Sequence, residues 1–320
     1  MREIFRIVKE KGYKRIGLQF PEGLKWKATE IMQDLEAHGV TVFLSLDPCY
    51  GACDLADKEM EELGVEALFH VGHSKILDNT AIPVFYIEYK IDFDIFPCIE
   101  ENLDILPDRI GLITNIQHIH MISSVKKFLE EKGKKVFVGL PKGRAKYAGQ
   151  VLGCDFSAAR CIMKKVDGFL YFGSGDFHPL GVALATKKTT LALDMGGDIK
   201  DIGKKARKIL KQRYSIIAKA VEAESFGILI GEKRGQRRLE LAMKLKEKIE
   251  KKEKKVFLFS IREIIPENLN YIKVDAFINT ACPRVTIDEA LRFRKPILTP
   301  KEVEILIGDK KWEEYEMDEF

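Results

Sequence analysis

Three of the six cysteines lie in short loops that contain glycine or proline. Cys53 lies in DPCYGACD of residues 47–54, Cys154 in GQVLGCD of residues 149–155, and Cys282 in NTACPR of residues 279–284. Each loop comes after an apolar, β-branched run that is typical of a buried strand. If the three loops face a common centre, their thiolates can hold one metal cofactor together. The spacing therefore raises the hypothesis of a metal centre with one cysteine from each of three regions.

The cysteine loops are compatible with two kinds of metal centre, an iron–sulfur cluster and a zinc site. A 4Fe-4S cluster held by three cysteines leaves one iron with an open position for a substrate or cofactor. Structural zinc sites usually contain close C-x-x-C pairs, and the chain has none, because Cys49 and Cys53 form a C-x-x-x-C pair. That pair also lacks the continuation of an ordinary radical S-adenosylmethionine motif. Spacing alone leaves the kind of centre open.

The other three cysteines carry weaker signals. Cys98 in FPCIEENL and Cys161 in SAARCIMKK lie in apolar or helical surroundings, so we expect both to be small buried residues with inert thiols. Cys49 shares a loop with Cys53, and its role stays open.

The elements around these loops repeat three times along the chain. Short strand-like runs closed by glycine or proline alternate with helical patterns, which is typical of parallel βα units and predicts the α/β class. The third strands of the repeats begin at Ala67, Gly168 and Ala276. We therefore predict three repeated domains around a shared central site, each a four-stranded parallel sheet flanked by helices. Their predicted bounds are residues 1–105 with the Cys53 loop, 106–214 with the Cys154 loop and 215–320 with the Cys282 loop.

The predicted elements place the candidate loops at one edge of each sheet. Strands are expected at residues 16–20, 41–46, 67–71, 84–89, 110–114, 135–140, 168–172, 189–193, 226–230, 255–259, 276–280 and 296–299, and helices at 24–38, 123–132 and 236–251. Ligands of such sheets bind beyond the carboxyl ends of the strands. The loops HVGHS of residues 70–74 and GSGDFHPLG of residues 173–181 are therefore candidates too. His70 and His73 in the first loop suit either proton donation or a structural role.

Composition excludes several classes of protein. Of the 320 residues, 46% are hydrophobic and 32% are charged, and the net charge of +4 is nearly balanced. A nucleic-acid module is usually more basic, so we expect no direct binding of nucleic acid. No stretch approaches the roughly 20 apolar residues of a membrane span. The charged start MREIFRIVKEKGYKR lacks the apolar segment of a secretory signal, so we expect a cytoplasmic protein without a membrane anchor.

Several motifs, in order, make this sequence similar to one known family. They are QFPEGL at residues 19–24, YGAC at 50–53, GHS at 72–74, GQVLGC at 149–154, FHPLG at 177–181 and NTACPR at 279–284. The chain resembles, from about residue 16 to residue 307, the archaeal diphthamide-biosynthesis enzymes that perform the first step, the 2-(3-amino-3-carboxypropyl)histidine synthases.

The resemblance implies a cofactor, a reaction and partners. The family's three ligands to a 4Fe-4S cluster fall on Cys53, Cys154 and Cys282. The implied reaction cleaves S-adenosylmethionine at the open iron, gives a 3-amino-3-carboxypropyl radical, and adds it to the imidazole C2 of a histidine in elongation factor 2. Methylthioadenosine is the by-product. The family also implies an electron donor and a homodimer.

Binding of S-adenosylmethionine requires contacts to its amino-carboxylate group. We expect these among Gly173, Gly175, His178, Gln236 and Arg284. The two glycines also suit ordinary turns that require positive φ, and His178 precedes a proline at which a helix can begin.

Two other functional hypotheses are compatible with the sequence. Quinolinate synthase also has three repeated α/β units and three cysteines around one 4Fe-4S cluster, which acts there as a Lewis acid without S-adenosylmethionine. A redox-active binding or electron-carrier protein is the non-enzymatic alternative, although electron carriers commonly use four cysteine ligands.

Overall fold

The computed structural model of the chain describes residues 2–320. It contains three separate sheets, one within each of the three predicted repeats, and most of their strands are parallel. The α/β class is therefore confirmed. The boundaries of the repeats at residues 105 and 214 stay a prediction.

The first sheet has four parallel strands in the order β2-β1-β3-β4. Its strands are β1 (Arg15–Gln19), β2 (Thr41–Ser45), β3 (Ala67–Val71) and β4 (Val84–Ile87), with helices α1 (Arg2–Lys11), α2 (Ala28–Glu36) and α3 (Asp57–Glu62). All five residues of β3 are buried, because helices cover both faces of a parallel sheet. In α1, Ile4 and Val8 share one face at i,i+4 spacing and enter the core.

The second sheet has five strands in the order β6-β5-β7-β8-β9. Its strands are β5 (Arg109–Thr114), β6 (Lys135–Phe137), β7 (Gly168–Phe172), β8 (Thr189–Leu193) and β9 (Ile199–Asp201), with helices α4 (Phe96–Glu101), α5 (Ile122–Glu131), α6 (Ser157–Arg160), α7 (Phe177–Thr186) and α8 (Gly203–Ala220). β9 is antiparallel to β8, so the prediction of four strands is wrong here. A tight turn at Asp194, whose carboxylate accepts from the N–H groups of Gly196 and Asp198, brings the chain straight back.

The third sheet again has four parallel strands, in the order β11-β10-β12-β13. Its strands are β10 (Ser225–Gly231), β11 (Lys255–Ile261), β12 (Ala276–Asn279) and β13 (Ile297–Leu298), with helices α9 (Leu239–Glu250), α10 (Pro266–Leu269), α11 (Pro283–Asp288) and α12 (Pro300–Leu306). In each of the three sheets, the first strand along the chain lies between the second and the third strands. The carboxyl ends of the parallel strands meet at the same edge of each sheet.

Several predicted elements begin or end a few residues away from their predicted bounds, and two of these differences are instructive. The predicted helix 24–38 starts as a 3-10 turn over Glu22–Lys27 before α2 begins. The predicted strand 135–140 ends at Phe137, because the chain then passes so close to α6 that a Cβ on Gly139 would lie 1.9 Å from the carbonyl oxygen of Ala158.

The chain divides into two compact units. Unit 1 contains the described part of Met1–Asp92 together with Ile116–His120 and Lys233–Gly235, and unit 2 contains Phe93–Asn115, Met121–Glu232 and Gln236–Phe320. Unit 1 therefore contains the first sheet, and unit 2 contains the second and third.

A buried ion pair links elements within unit 2. Arg213 of α8 donates to both carboxylate oxygens of Glu302 in α12, at 2.7 and 2.6 Å, and to the carbonyl oxygens of Thr286 and Ile297. Both side chains are almost completely buried. Glu302 also accepts from the N–H of Thr299 and so caps α12.

No helix among residues 2–320 is both long enough and apolar enough to cross a membrane.

Candidate functional site

The loop of Cys53 connects β2 to α3 in unit 1, and a segment distant in sequence holds it. The N–H of Gly235 donates to the carbonyl oxygen of Cys53 at 3.1 Å. A Cβ on Gly235 would lie only 2.4 Å from the Cα of Cys53. Only glycine fits at this position unless the backbone of the loop moves.

The neighbours of Gly235 bind the same loop through charge. Lys233 forms an ion pair with Asp54 at 2.8 Å, and both side chains are about 95% buried. The Lys233 ammonium also lies 4.8 Å from the centre of the Tyr50 ring. Arg234 forms an ion pair with Asp57 at 2.7 Å. Because a buried charge is stable only when it is paired, the segment Lys233–Gly235 and the Cys53 loop depend on each other.

Gln19 connects the same loop to the carboxyl edge of the first sheet. Its side-chain amide donates to the carbonyl oxygen of Asp54 at 2.7 Å, and its Oε1 accepts from the N–H of Ala56 at 3.2 Å. Oε1 also lies 2.9 Å from Nδ1 of His70, the fourth residue of β3. The ends of β1 and β3 thereby fix the position of the loop.

Two histidines and Cys49 lie together at this edge. Nε2 of His70 is 3.0 Å from Nδ1 of His73, and Sγ of Cys49 and one ring nitrogen from each histidine all lie within 4.8 Å of one another. Burial lowers the pKa of His70 well below its usual value and that of His73 to about 4, so both rings are neutral at pH 7. Burial, and secondarily the charge of Asp54, raises the pKa of the Cys49 thiol to about 12.

In unit 2, the loop of Cys154 lies at the carboxyl end of β5, the first strand of its sheet along the chain. The N–H of Thr114 donates to the carbonyl oxygen of Gly149, and the N–H of Val151 donates to that of Thr114, each at 2.9 Å. Cys154 follows in a turn closed by Leu152 and Asp155.

Cys282 directly precedes α11, at the carboxyl end of β12. The side-chain amide of Asn279 donates to the carbonyl oxygen of Cys282 and to Oγ1 of Thr286, both at 2.8 Å, while its Oδ1 accepts from the N–H of Ala281. Asn279 is completely buried. The motif NTACPR therefore contains the residue that shapes its own loop.

Arg238 and Phe320 connect the Cys154 and Cys282 loops. Arg238 donates to the carbonyl oxygens of Thr280 and Ala281 and pairs with Asp318 at 2.6 Å. Its guanidinium carbon lies 4.1 Å from the centre of the Phe320 ring. The N–H of Phe320 donates to the carbonyl oxygen of Cys154 at 2.9 Å. Sequence reasoning missed both residues, and no local pattern marks them.

A second link between these loops passes through Phe177, the first residue of α7. A Cβ on Gly153 would lie 2.7 Å from the Phe177 ring, so the residue before Cys154 packs closely on it. The guanidinium of Arg284, two residues after Cys282, lies 5.1 Å from the centre of the same ring. Unit 2 therefore brings the loops of two of the three candidate ligands to one region.

The five expected contacts of S-adenosylmethionine all lie in unit 2. Gly173 and Gly175 follow β7 with φ of 141° and 77°, so the turn itself requires glycine. The ring of His178 stacks on Tyr171 at 6.1 Å. Gln236 is buried beside Gly231, whose missing Cβ would meet Ala281 at 2.9 Å. His178 directly follows Phe177 in the sequence, and the guanidinium of Arg284 lies over the Phe177 ring. Gln236 lies near the Cys282 loop.

The remaining two cysteines differ from each other. Cys98 is buried as expected; its thiol donates to the carbonyl oxygen of Gly197 at 2.6 Å, and burial raises its pKa. Cys161 is exposed, so the expectation of a buried residue is wrong. α6 has only four residues and ends at Arg160, which leaves the next side chain at the surface. No disulfide joins any of the six cysteines, all of which lie within residues 2–320.

Comparison with known proteins places the chain in one family. A family model described as diphthamide synthesis protein matches residues 20–316. The 2-(3-amino-3-carboxypropyl)histidine synthase of Pyrococcus horikoshii is 37% identical over 320 residues, which cover 99% of this chain and 92% of that protein. Subunit 1 of the synthase from Encephalitozoon cuniculi is 30% identical, covering 94% of this chain and 86% of that protein.

The fold agrees with these similarities. The crystal structure of Dph2 from Pyrococcus horikoshii with a 4Fe-4S cluster matches with a TM-score of 0.92 and 37% identity, over 99% of this chain and 92% of that one. Because both the sequence match and the structural match extend over nearly the full length, the chain belongs to the diphthamide synthesis protein family.

Proposed function

We propose that this protein catalyses the first step of diphthamide synthesis. It transfers the 3-amino-3-carboxypropyl group of S-adenosylmethionine to the imidazole C2 of a histidine in elongation factor 2. One observation carries the proposal: in a chain 37% identical over its full length to a synthase of this activity, Cys53, Cys154 and Cys282 each lie in a loop at the carboxyl edge of a different sheet.

The residues present fit a 4Fe-4S cluster with three protein ligands. The three cysteines are partly exposed and take part in no disulfide, and thiolates are the ligands that such clusters use. Gly235, which has no Cβ, also permits the close backbone packing that fixes the loop of Cys53. When bound, the cluster supplies an electron and one iron with an open position for S-adenosylmethionine.

The protein's own residues have to hold and orient the reactants. Arg238, Phe320 and Phe177 fix the loops of Cys154 and Cys282, while Gly235 and Gln19 fix the loop of Cys53. Arg284 is 56% exposed, and its planar guanidinium suits the carboxylate of the methionine moiety. His178 and Gln236 are the further candidates for this group. Orientation decides which sulfur–carbon bond of S-adenosylmethionine breaks, since no acid–base group can select between them.

Anaerobic preparation of single cysteine variants tests the ligand set. We expect Cys53→Ala, Cys154→Ala and Cys282→Ala to lose the visible absorbance and bound iron of the cluster, whereas Cys98→Ala and Cys161→Ala retain them. Normal clusters in all of the first three variants would show that the ligands are wrong.

Incubation of the reduced protein with S-adenosylmethionine and elongation factor 2 tests the reaction. We expect methylthioadenosine and a modified histidine. Turnover of iminoaspartate with dihydroxyacetone phosphate in the absence of S-adenosylmethionine would instead favour the quinolinate synthase reaction.

We also propose that the protein acts as a homodimer in the cytoplasm, where its protein substrate and an electron donor are available. Among the described residues, β11 pairs with β10 alone, and its Phe257 and Leu258 are 47% and 38% exposed. The open side of such an edge strand can bind the same strand of a second copy across a two-fold axis.

Light scattering during gel filtration tests this arrangement. The wild type is expected to be dimeric, Phe257→Lys to be monomeric, and the control Tyr271→Lys, at a residue 91% exposed outside β11, to remain dimeric. A wild-type monomer would contradict the homodimer, and a dimeric Phe257→Lys variant would contradict the role of β11.

A further inference from the structure

We propose that Cys49, His70 and His73 form a second, mononuclear site for a transition-metal ion of the Zn²⁺ class. All three residues belong to unit 1. Cys49 is not one of the three cysteines that we propose as ligands of the iron–sulfur cluster. The site joins the loop before Cys53 to the end of β3.

The distances between the ligand atoms are close to those of a zinc site. His70 Nε2 and His73 Nδ1 are 3.0 Å apart, and the three candidate ligand atoms all lie within 4.8 Å of one another. Tetrahedral Zn²⁺, with bonds of about 2.3 Å to sulfur and about 2.0 Å to nitrogen, sets its ligand atoms about 3.3–3.6 Å apart. Side-chain movements of about 1 Å are therefore enough to form the site.

Gln19 prepares His70 for metal binding. Its amide group is oriented by two other hydrogen bonds, one donated to the carbonyl oxygen of Asp54 and one accepted from the N–H of Ala56. Its Oε1 must therefore accept from Nδ1–H of His70, which leaves the lone pair on Nε2 directed at His73. Metal-binding histidines typically donate their second ring N–H in this way, which fixes the tautomer and the orientation of the ring.

Metal binding requires only local proton movements at these residues. The hydrogen bond to Gln19 already leaves Nε2 of His70 without a proton. His73 needs only to move its proton from Nδ1 to Nε2. The buried Cys49 thiol releases its proton when the metal binds, because a coordinating thiol is deprotonated by the ion.

The set of donors indicates which ions fit. One thiolate and two imidazoles suit Zn²⁺ or Co²⁺ and not the oxygen-seeking Mg²⁺ or Ca²⁺. Three protein ligands leave the fourth position of a tetrahedral ion for water.

The test uses the anaerobic protein with its iron–sulfur cluster in place, so that the three cluster cysteines are occupied. Zn²⁺ is added, and bound zinc and bound iron are measured per chain. We expect about one additional zinc, with X-ray absorption at the zinc edge showing one sulfur and two imidazole nitrogens. His73→Ala and Cys49→Ser should weaken zinc binding by at least about tenfold at unchanged iron content. The matched controls Cys98→Ser and His120→Ala should bind zinc normally.

Three results would overturn the proposal: no zinc bound by protein with full iron content, a zinc environment with three sulfurs, or zinc affinity unchanged in both variants. The spectrum of the wild type decides the question even if a variant fails to fold. Because zinc and iron are counted separately and no turnover is measured, failure here is distinguishable from failure of the proposed reaction.

Discussion

At the scale of single residues, Gly235 shows how closely the candidate site depends on backbone packing. Its N–H holds the carbonyl oxygen of Cys53, and its Cα hydrogen faces the Cα of that cysteine. Neither the loop nor Gly235 belongs to a strand or α-helix, so no neighbouring ladder of hydrogen bonds can compensate for a shift.

Gly235→Ala is therefore expected to displace the Cys53 loop. Forcing a methyl group against backbone atoms costs about 1–3 kcal/mol, and we expect a reduced iron content per chain after anaerobic reconstitution. Gly23→Ala is the matched control, because a Cβ there would meet no atom within 4 Å. Equal iron content in the two variants would contradict the packing argument.

Thiol reactivity is expected to follow burial and not the position of a cysteine in the sequence. Cys161 is exposed, whereas Cys49 is buried with a pKa raised to about 12. Because the thiolate is the reactive form, brief treatment with iodoacetamide at pH 8 should modify Cys161 and leave Cys49 intact. Mass spectrometry of the digested protein measures this, and comparable labelling of both residues would show that Cys49 is accessible.

At the scale of elements, the cysteine loops of unit 2 are held by groups from other elements, a side chain in one case and a backbone N–H in the other, and not by their own hydrogen bonds alone. Arg238, directly before α9, binds the carbonyl oxygens before Cys282 and the carboxylate of Asp318. Phe320 then binds the Cys154 loop. The Cys282 loop of the third sheet and the Cys154 loop of the second sheet are thus connected through Arg238, whose guanidinium lies against the ring of Phe320.

Arg238→Met is expected to loosen both cysteine loops of unit 2. It removes the hydrogen bonds to Thr280 and Ala281 and leaves the buried Asp318 carboxylate without its partner. Loss of a partner from a buried pair costs about 3–5 kcal/mol. We expect a lower unfolding midpoint in urea and loss of iron.

Arg237→Met is the control for this substitution. The Arg237 side chain is exposed and donates to the carbonyl oxygen of Glu232, so its removal should change both measurements little. If the two variants behaved alike, Arg238 would have no special part in holding the loops.

At the scale of the whole molecule, the three sheets share the order of their first four strands, but the positions of their cysteine loops differ. Cys53 and Cys154 follow the second strands of their sheets, whereas Cys282 follows the third. The second sheet also gains the antiparallel β9, which leads into the 18-residue α8. The buried ion pair between Arg213 of α8 and Glu302 of α12 is therefore expected to contribute to the stability of unit 2.

Glu302→Ala is expected to destabilise unit 2 by about 3–5 kcal/mol, because Arg213 remains buried without a counter-charge. Urea denaturation followed by circular dichroism measures the change. Glu250→Ala removes a surface pair with Lys246 and should change the free energy of unfolding by about 0.5 kcal/mol or less. Similar effects of the two substitutions would contradict the importance of burial.

The sequence by itself determined the α/β class, the positions of the predicted strands to within a few residues, and the cysteine loops. These features depend on local patterns: β-branched runs, i+4 apolar spacing, and glycine or proline at strand ends. Even α8 follows such a pattern, since Ala206, Ile209, Arg213, Ile217 and Ala220 form its buried stripe, although the polar remainder of the helix obscured it.

Only the tertiary structure decided which distant residues meet. The segment Lys233–Gly235 holds a loop about 180 positions earlier in the chain, Phe320 holds Cys154, and Cys49 meets two histidines from the end of another strand. Such contacts depend on how separate elements pack against each other. The local sequence around a residue does not indicate which distant residue it will contact. The exposure of Cys161 has the same origin, because burial is set by what covers a side chain and not by the composition of its own segment.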